Sequence, residues 1–304
     1  MSTHRVASNV VTMTRDSSSA SPEKLIVDDS LLMLGGNKAS FPRYLTELWK
    51  RRHFVKAEAK SKAFNSGRDT YLGKLWILLD PLLQVMVYVV VFGLVLNASR
   101  GMDNFVGFLI IGVIYFGFVS KGISSGIGLI RRSKSMINAF DFPTAAIVFS
   151  TVYKQFLDGL APAVLAIVLP ILLQLDKGFG PSVLLTIPLY LLLFIFVTGM
   201  IFIVARLTAV IPDTRAVVTL LNRLLFFTSG VFFTMERFKG HPTLQAVVEL
   251  NPIYQLLNAF RTAIMESNSP SPDTWLYLTA WSFGTFFIGF VYFWGAEERY
   301  SSAK

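Results

Sequence analysis

The chain has 304 residues, 53% of them hydrophobic and 15% charged, with a mean hydropathy of +0.54, a balance that excludes an ordinary soluble globular domain. Its formal net charge is +9, yet about half of the Lys and Arg precede Leu75, so the basic residues are not spread over a folded surface as in a nucleic-acid binder, and the positive-inside rule puts the N-terminus in the cytoplasm. The absence of cysteine excludes disulfides and thiolate metal sites.

Residues 1–41 are polar, with a Ser17-Ser18-Ser19 run and no apolar core of a secretory signal. They are predicted to be a disordered cytoplasmic tail, in which Leu31-Leu32-Met33-Leu34 is a short patch able to meet a partner. Residues 42–68 form the next unit. From Pro42 to Lys62, Leu45, Leu48, Trp49, Val55 and Ala59 recur near helical spacing, and Lys50, Arg51, Arg52, Lys56 and Lys60 fill much of the remainder. That pattern predicts an amphipathic helix lying in the membrane interface, its cations among anionic headgroups and Trp49 at the carbonyl level.

Residues 69–304 are the transmembrane unit. About 20 apolar residues cross a hydrocarbon core of about 30 Å as a helix, and six stretches reach or approach that length: Leu75–Leu96, Phe105–Gly122, Thr144–Leu175, Pro181–Ile211, Val217–Phe233 and Trp275–Trp294. The fifth is marginal and holds Asn222 and Arg223. An even number of crossings returns the C-terminus to the cytoplasm. In the first span Pro81 removes a helix hydrogen bond, and Asp80 beside it must face protein, water or the interface. Gly126–Phe142 alternates apolar and basic residues up to Pro143, the pattern of a short helix flat on the cytoplasmic face. His241–Met265 splits at Asn251-Pro252 into two amphipathic pieces, each too short to cross, which predicts a re-entrant pair on the outer side.

Lys154 and Asp158 stand four apart and share a helix face, so they can neutralise each other. With Asp80, Arg206 and Arg223 they place five charges at comparable depth. Such a layer either receives an anionic headgroup or is a structural set of paired and snorkelling side chains. The Gly122/Gly126 spacing permits close helix contact. Of Phe283, Phe286, Phe287, Phe290 and Phe293 in the last span, most are expected to face lipid, and some to line a path through the protein. No phosphate-binding Gly-x-x-x-x-Gly-Lys loop, Asp-x-Asp pair or His-Glu-x-x-His motif occurs, so neither ATP binding nor catalysis is expected of this chain.

Leu72-Gly73-Lys74-Leu75-Trp76, Asp80-Pro81-Leu82-Leu83, Val87-Tyr88, Phe92-Gly93, Asn138, Phe142-Pro143, Asp213 with Arg215, Asn251-Pro252 and Phe260-Arg261 follow in order. Together they resemble the membrane subunit of ABC exporters for lipid-linked polysaccharides, the Wzm-type permeases. Arg68-Asp69-Thr70, Ser99-Arg100-Gly101 and Asn104-Phe105 resemble the actinobacterial branch that exports cell-wall galactan, although the Arg-Asp-x-Lys-x-Arg-Tyr type segment of many members is missing. The resemblance implies an all-α membrane protein of the plasma membrane that works as a homodimer. Two copies of a cytoplasmic ATP-binding subunit would hold ATP and Mg, and this chain would hold no cofactor. It also implies a coupling helix carrying Leu129, Arg131, Arg132, Lys134, Ile137 and Asn138, and a gate helix where Trp49, Arg51, Arg52 and Lys56 meet a polyprenyl diphosphate. Asn251, Pro252, Phe260 and Arg261 would belong to the re-entrant pair that closes the outer mouth. Permeases for O-antigen, teichoic acid or a small lipid or drug share the architecture, and a membrane glycosyltransferase or passive channel fits less well.

Overall fold

The computed structural model describes residues 40–65, 73–95, 104–139, 143–175, 178, 180–235 and 240–302. Among these, every regular element is a helix. Two amphipathic helices come first, α1 (Phe41–Lys50) and α2 (Arg52–Asn65). They replace the single interfacial helix expected, because at Arg51 the N–H is shared between the carbonyls of Glu47 and Leu48 and the chain turns before resuming. The expected tail to residue 39, Arg68-Asp69-Thr70 and Ser99-Arg100-Gly101 lie outside the described residues.

The long helices follow. They are α3 (Trp76–Tyr88), which continues through wider turns to Val95, α4 (Phe105–Gly126), α7 (Ala145–Leu172), α8 (Thr186–Val210), entered through a tight turn from Pro181, and α12 (Pro272–Trp294). Among the described residues five segments are thus long and apolar enough to cross a membrane. The sixth expected crossing corresponds to α9 (Thr214–Thr228), whose 15 residues rise about 22 Å, short of the hydrocarbon core on their own. Two small helices, α5 (Leu129–Arg132) and α6 (Lys134–Ala139), stand where one flat helix was expected; α10 (Pro242–Glu249) and α11 (Pro252–Ile264) precede α12, and α13 (Glu297–Ser302) follows it.

Helices α4 and α8 form the core. In their most apolar stretches 78% and 67% of residues are buried, against 11% in α3, 28% in α7 and 33% in α12, so most residues of the last three are at least partly exposed. The contact is close because glycines remove side chains where backbones meet. Gly122 lies against Val197 and Gly126 against Val204, so the predicted small-residue spacing is used. Gly199 of α8 meets α12 so closely that a Cβ there would sit 2.4 Å from the Thr285 carbonyl oxygen.

Polar side chains determine where helices start. Asn104 accepts the Gly107 N–H at 2.8 Å, capping α4, and donates at 3.0 Å to the Pro170 carbonyl near the end of α7. This contact pairs the start of α4 with the end of α7, so the two run antiparallel. One end of the bundle therefore gathers α1, α5, α6, the start of α7 and the end of α4; the other gathers the start of α4, the end of α7 and, through the Gln174 bond to the Met265 carbonyl, the end of α11.

Candidate functional site

An open concavity lies between the α1–α2 unit and α7. It is a groove of about 640 Å³ whose walls are apolar: Leu45, Leu48, Trp49 and Val55 on one side, Phe149, Val152, Tyr153 and Phe156 on the other. Arg52 and Lys56 border it, both exposed. The Arg52 guanidinium stands 5.5 Å from the Trp49 ring centre and donates to the Trp49 carbonyl. Of the residues expected to meet a lipid diphosphate, Trp49, Arg52 and Lys56 therefore line one feature, whereas Arg51, at the turn between the helices, is not among its lining residues. The arrangement can take a long apolar chain along its walls and an anionic group at its rim.

The end of this groove is tied to the far end of the sequence. Among the described residues of α1, Tyr44 alone is buried; its hydroxyl donates to Glu297 Oε2 at 2.9 Å. Glu297 Oε1 accepts the Thr144 N–H at 2.6 Å, and the Tyr44 oxygen accepts the Ala145 N–H at 3.2 Å. Burial pushes the Glu297 carboxyl above the usual carboxylate range, against the opposing pull of the hydrogen bonds from Thr144 and Tyr44. Burial, reinforced by the neighbouring Glu297, likewise pushes the Tyr44 phenol far up. Sequence reasoning missed both groups, since Glu297 reads as one more tail charge.

At the same end, Gly128 adopts a left-handed conformation (φ 66°) and donates its N–H to Thr208 Oγ1 at 3.0 Å, so the α4–α5 turn is moored to α8. Leu129 is buried in the core and Ile137 half-buried, so Leu129 anchors the expected coupling segment rather than presenting it. Arg131 and Arg132 are exposed and Lys134 is partly so; Arg132 bonds the Ser125 carbonyl at 2.8 Å. Asn138 belongs to α6, with its side chain outside what is described.

The expected charged layer is not a network. Lys154 and Asp158 pair at 2.5 Å, as their spacing predicts. Asp80 instead accepts from Gln84 at 3.2 Å, and Arg206 lies 3.9 Å over the Tyr292 ring and donates to the Tyr292 carbonyl. Arg223 is exposed on α9. Among the described residues none of these three joins the Lys154–Asp158 pair; Asp80 and Arg206 have other partners and Arg223 is exposed. In α12, Phe283 and Phe287 are exposed and Phe286 is half-buried, whereas Phe290 and Phe293 are core residues.

Toward the other end, α11 grips the turn where α9 stops. Asn251 caps α11 by accepting the Ile253 N–H at 2.9 Å and donates to Ser229 Oγ at 3.1 Å; Pro252 takes the first helical position. Arg261 is 4% exposed, donates to the carbonyls of Gly230 (2.8 Å), Val231 and Phe108 (3.3 Å each), and lies 3.4 Å over the Phe108 ring. Phe260 stacks on Tyr115 at 3.6 Å. Gly230 adopts φ 70° with the Tyr254 ring against it, leaving no room for a side chain.

Long apolar helices, a bundle core of two of them and an amphipathic pair along its flank define a multi-pass helical membrane protein. Residues 55–265 match the family model described as ABC-2 type transporter, and the chain belongs to that family. It is 23% identical over 264 residues to the O-antigen export system permease protein RfbA of Myxococcus xanthus, an alignment covering 86% of this chain and 96% of that protein. It is also 22% identical over 231 residues to the polysialic acid transport protein KpsM of Escherichia coli, covering 75% and 87%.

Proposed function

We propose that this chain is the channel-forming permease subunit of an ATP-driven exporter, moving a polyprenyl-diphosphate-linked polysaccharide from the cytoplasm to the outer side of the plasma membrane. The observation that carries the reading is the apolar groove bordered by Arg52 and Lys56, in a chain similar over most of its length to proteins named for O-antigen export and polysialic acid transport. An apolar wall with a cationic rim suits a lipid tail with an anionic head. Cell-wall galactan is the proposed polymer, on the strength of the sequence resemblance alone.

Two copies of the chain with two ATP-binding subunits form the working unit, the latter docking at α5 and α6 and holding ATP and Mg. Catalysis of ATP hydrolysis belongs to those subunits. Two features support a second copy against α3 and α9. Both present exposed apolar residues, among them Met86, Val87, Leu220 and Leu224, and both carry an exposed charge, Asp80 and Arg223, which is costly in contact with lipid. A protein-lined or wet path between copies removes that cost.

In this reading the chain crosses six times, with both termini cytoplasmic. Segment α9 runs antiparallel to α4, since Asn222 bonds Ser120 Oγ at 2.9 Å and Arg261 joins Gly230 to Phe108. The helix and its terminal turn together thus follow α4 from near its end to within a turn of its start. Helices α10 and α11 dip and return: Pro252 and Ile253 lie beside Val119 and Phe196, and Met265 meets Gln174 at the bundle's end.

The test is ATP hydrolysis by the chain co-purified in lipid with candidate ATP-binding subunits from its own genome. A stable complex stimulated by lipid-linked galactan, with stimulation lost in Arg52→Ala/Lys56→Ala, is expected. A stable complex indifferent to that lipid removes galactan and turns the test to O-antigen and polysialic acid lipids; no complex with any ATP-binding subunit overturns the exporter.

A further inference from the structure

The start of α7 is capped in an unusual way. A helix leaves its first N–H groups without helical partners. Here Ala146 and Ile147 turn theirs back to the carbonyls of Pro143 and Thr144, and the two that remain go to residues far away in sequence, Thr144 N–H to Glu297 and Ala145 N–H to Tyr44. Thr144 is itself a residue type that caps helices, yet its side chain makes no capping bond. The work falls to a carboxylate 153 residues downstream, which forms no ion pair among the described residues and lies against the positive end of a helix dipole.

The same two side chains hold α1. Phe41 meets Phe290 and Trp294 edge-on at 6.0 and 5.2 Å, and Tyr44 is buried beside them. Beyond Tyr44 the hold weakens: Leu48 still packs half-buried against the core, but Leu45 and Trp49 are 41% and 71% exposed and form the groove wall. On the other side of the break at Arg51, α2 is seated on the bundle at Ala59, which is 0% exposed. The polar hold on the α1 wall is therefore at Tyr44, beside the ring contacts of Phe41, with Leu48 adding apolar packing before the turn at Arg51.

We propose that Glu297 is a positioning residue for the groove: by capping α7 and accepting the Tyr44 hydroxyl, it holds α1 against the bundle and sets how far the groove stands open. The C-terminal helix α13 thereby controls access to a site built from the N-terminal helices. Glu297→Gln replaces one acceptor oxygen by an NH2 donor that must face either the Thr144 N–H or the Tyr44 hydroxyl, whose oxygen already accepts from Ala145, so one of the two bonds is lost. Tyr44→Phe removes the hydroxyl proton together with the Ala145 acceptor. The two changes break one clasp, so their effects do not multiply.

The proposal rests on the groove being the lipid route, and its test is independent of transport. The chain has no cysteine, so Val152→Cys in the groove wall is a single reporter, read as the rate of maleimide labelling of the full chain in lipid nanodiscs. Glu297→Gln and Tyr44→Phe are each expected to raise that rate about tenfold, the weight of a buried hydrogen bond to a charged group, and the double variant to label no faster than the faster single. Leu48→Cys, on the α1 side, should show the same order. Leu193→Cys, placed in the core at a residue 0% exposed, reports general loosening and should stay unlabelled throughout. Unchanged labelling in Glu297→Gln, a double variant equal to the product of the singles, or parallel labelling at Leu193→Cys overturns the assignment. If the clasp behaves as stated while no glycolipid stimulates ATP hydrolysis, the export reading fails and the positioning role stands.

Discussion

Replacing Arg261 by Leu tests whether the turn after α9 is held from α11. The guanidinium supplies the bond to the Gly230 carbonyl at 2.8 Å and longer ones to Val231 and Phe108. Leaving the Gly230 oxygen buried and unsatisfied costs about 1–3 kcal/mol. Losing the stacked position over Phe108, at 3.4 Å, adds about 0.5–2 kcal/mol. Removing a cation buried without a carboxylate beside it offsets part of this, leaving a net destabilisation of about 1–4 kcal/mol. At about 2–4 °C per kcal/mol, the apparent melting temperature, read at one scan rate by fluorescence-detected size exclusion, should fall by about 3–15 °C. Arg261→Lys should fall part of the way, since a single ammonium cannot span three carbonyls. An Arg261→Leu protein melting within about 2 °C of the parent would show that α11 does not hold the turn.

Gly199→Ala forces α8 and α12 apart, because the new Cβ would lie 2.4 Å from a backbone oxygen; overpacking of this kind costs about 1–3 kcal/mol, and an unchanged melting temperature would count against so close a contact. Lys154→Met leaves Asp158 without its partner on a largely apolar helix, so it should lower the melting temperature more than the double variant Lys154→Met/Asp158→Leu does, and additive losses would deny that the pair acts as a unit. Glu297 has a pKa raised above its unfolded value, so between the two values the folded chain binds more protons and stability falls as pH rises. Its contribution is complete below the unfolded value, about 4.3, and fades as pH climbs through the raised one. Relative to the neutral Glu297→Gln protein, which cancels other titrating groups, the parent should therefore gain stability on acidification; a difference independent of pH, or growing with it, contradicts this.

Hydropathy and local spacing determined much of this protein. The apolar runs place the five long helices, since backbone groups in hydrocarbon must be bonded within the segment. Asn251 and Pro252 mark a helix start, and Lys154 and Asp158 pair because four residues bring side chains to one helix face. A pattern of period 3.6 continues through a short turn, however, so the sequence ran α1 and α2 together. The missed break at Arg51 matters because it divides the groove wall between two helices.

Tertiary structure alone decided the rest. By sequence Asp80, Arg206 and Arg223 were set at comparable depth, yet depth says nothing of azimuth, and in the bundle they turn to Gln84, Tyr292 and the surface. Arg261 and the turn at Gly230 meet across 31 residues, and Glu297 and Thr144 across 153. No local periodicity encodes such partners. Burial removes the water that would otherwise satisfy a carbonyl or an amide, and whichever polar side chain the bundle brings alongside must then take its place.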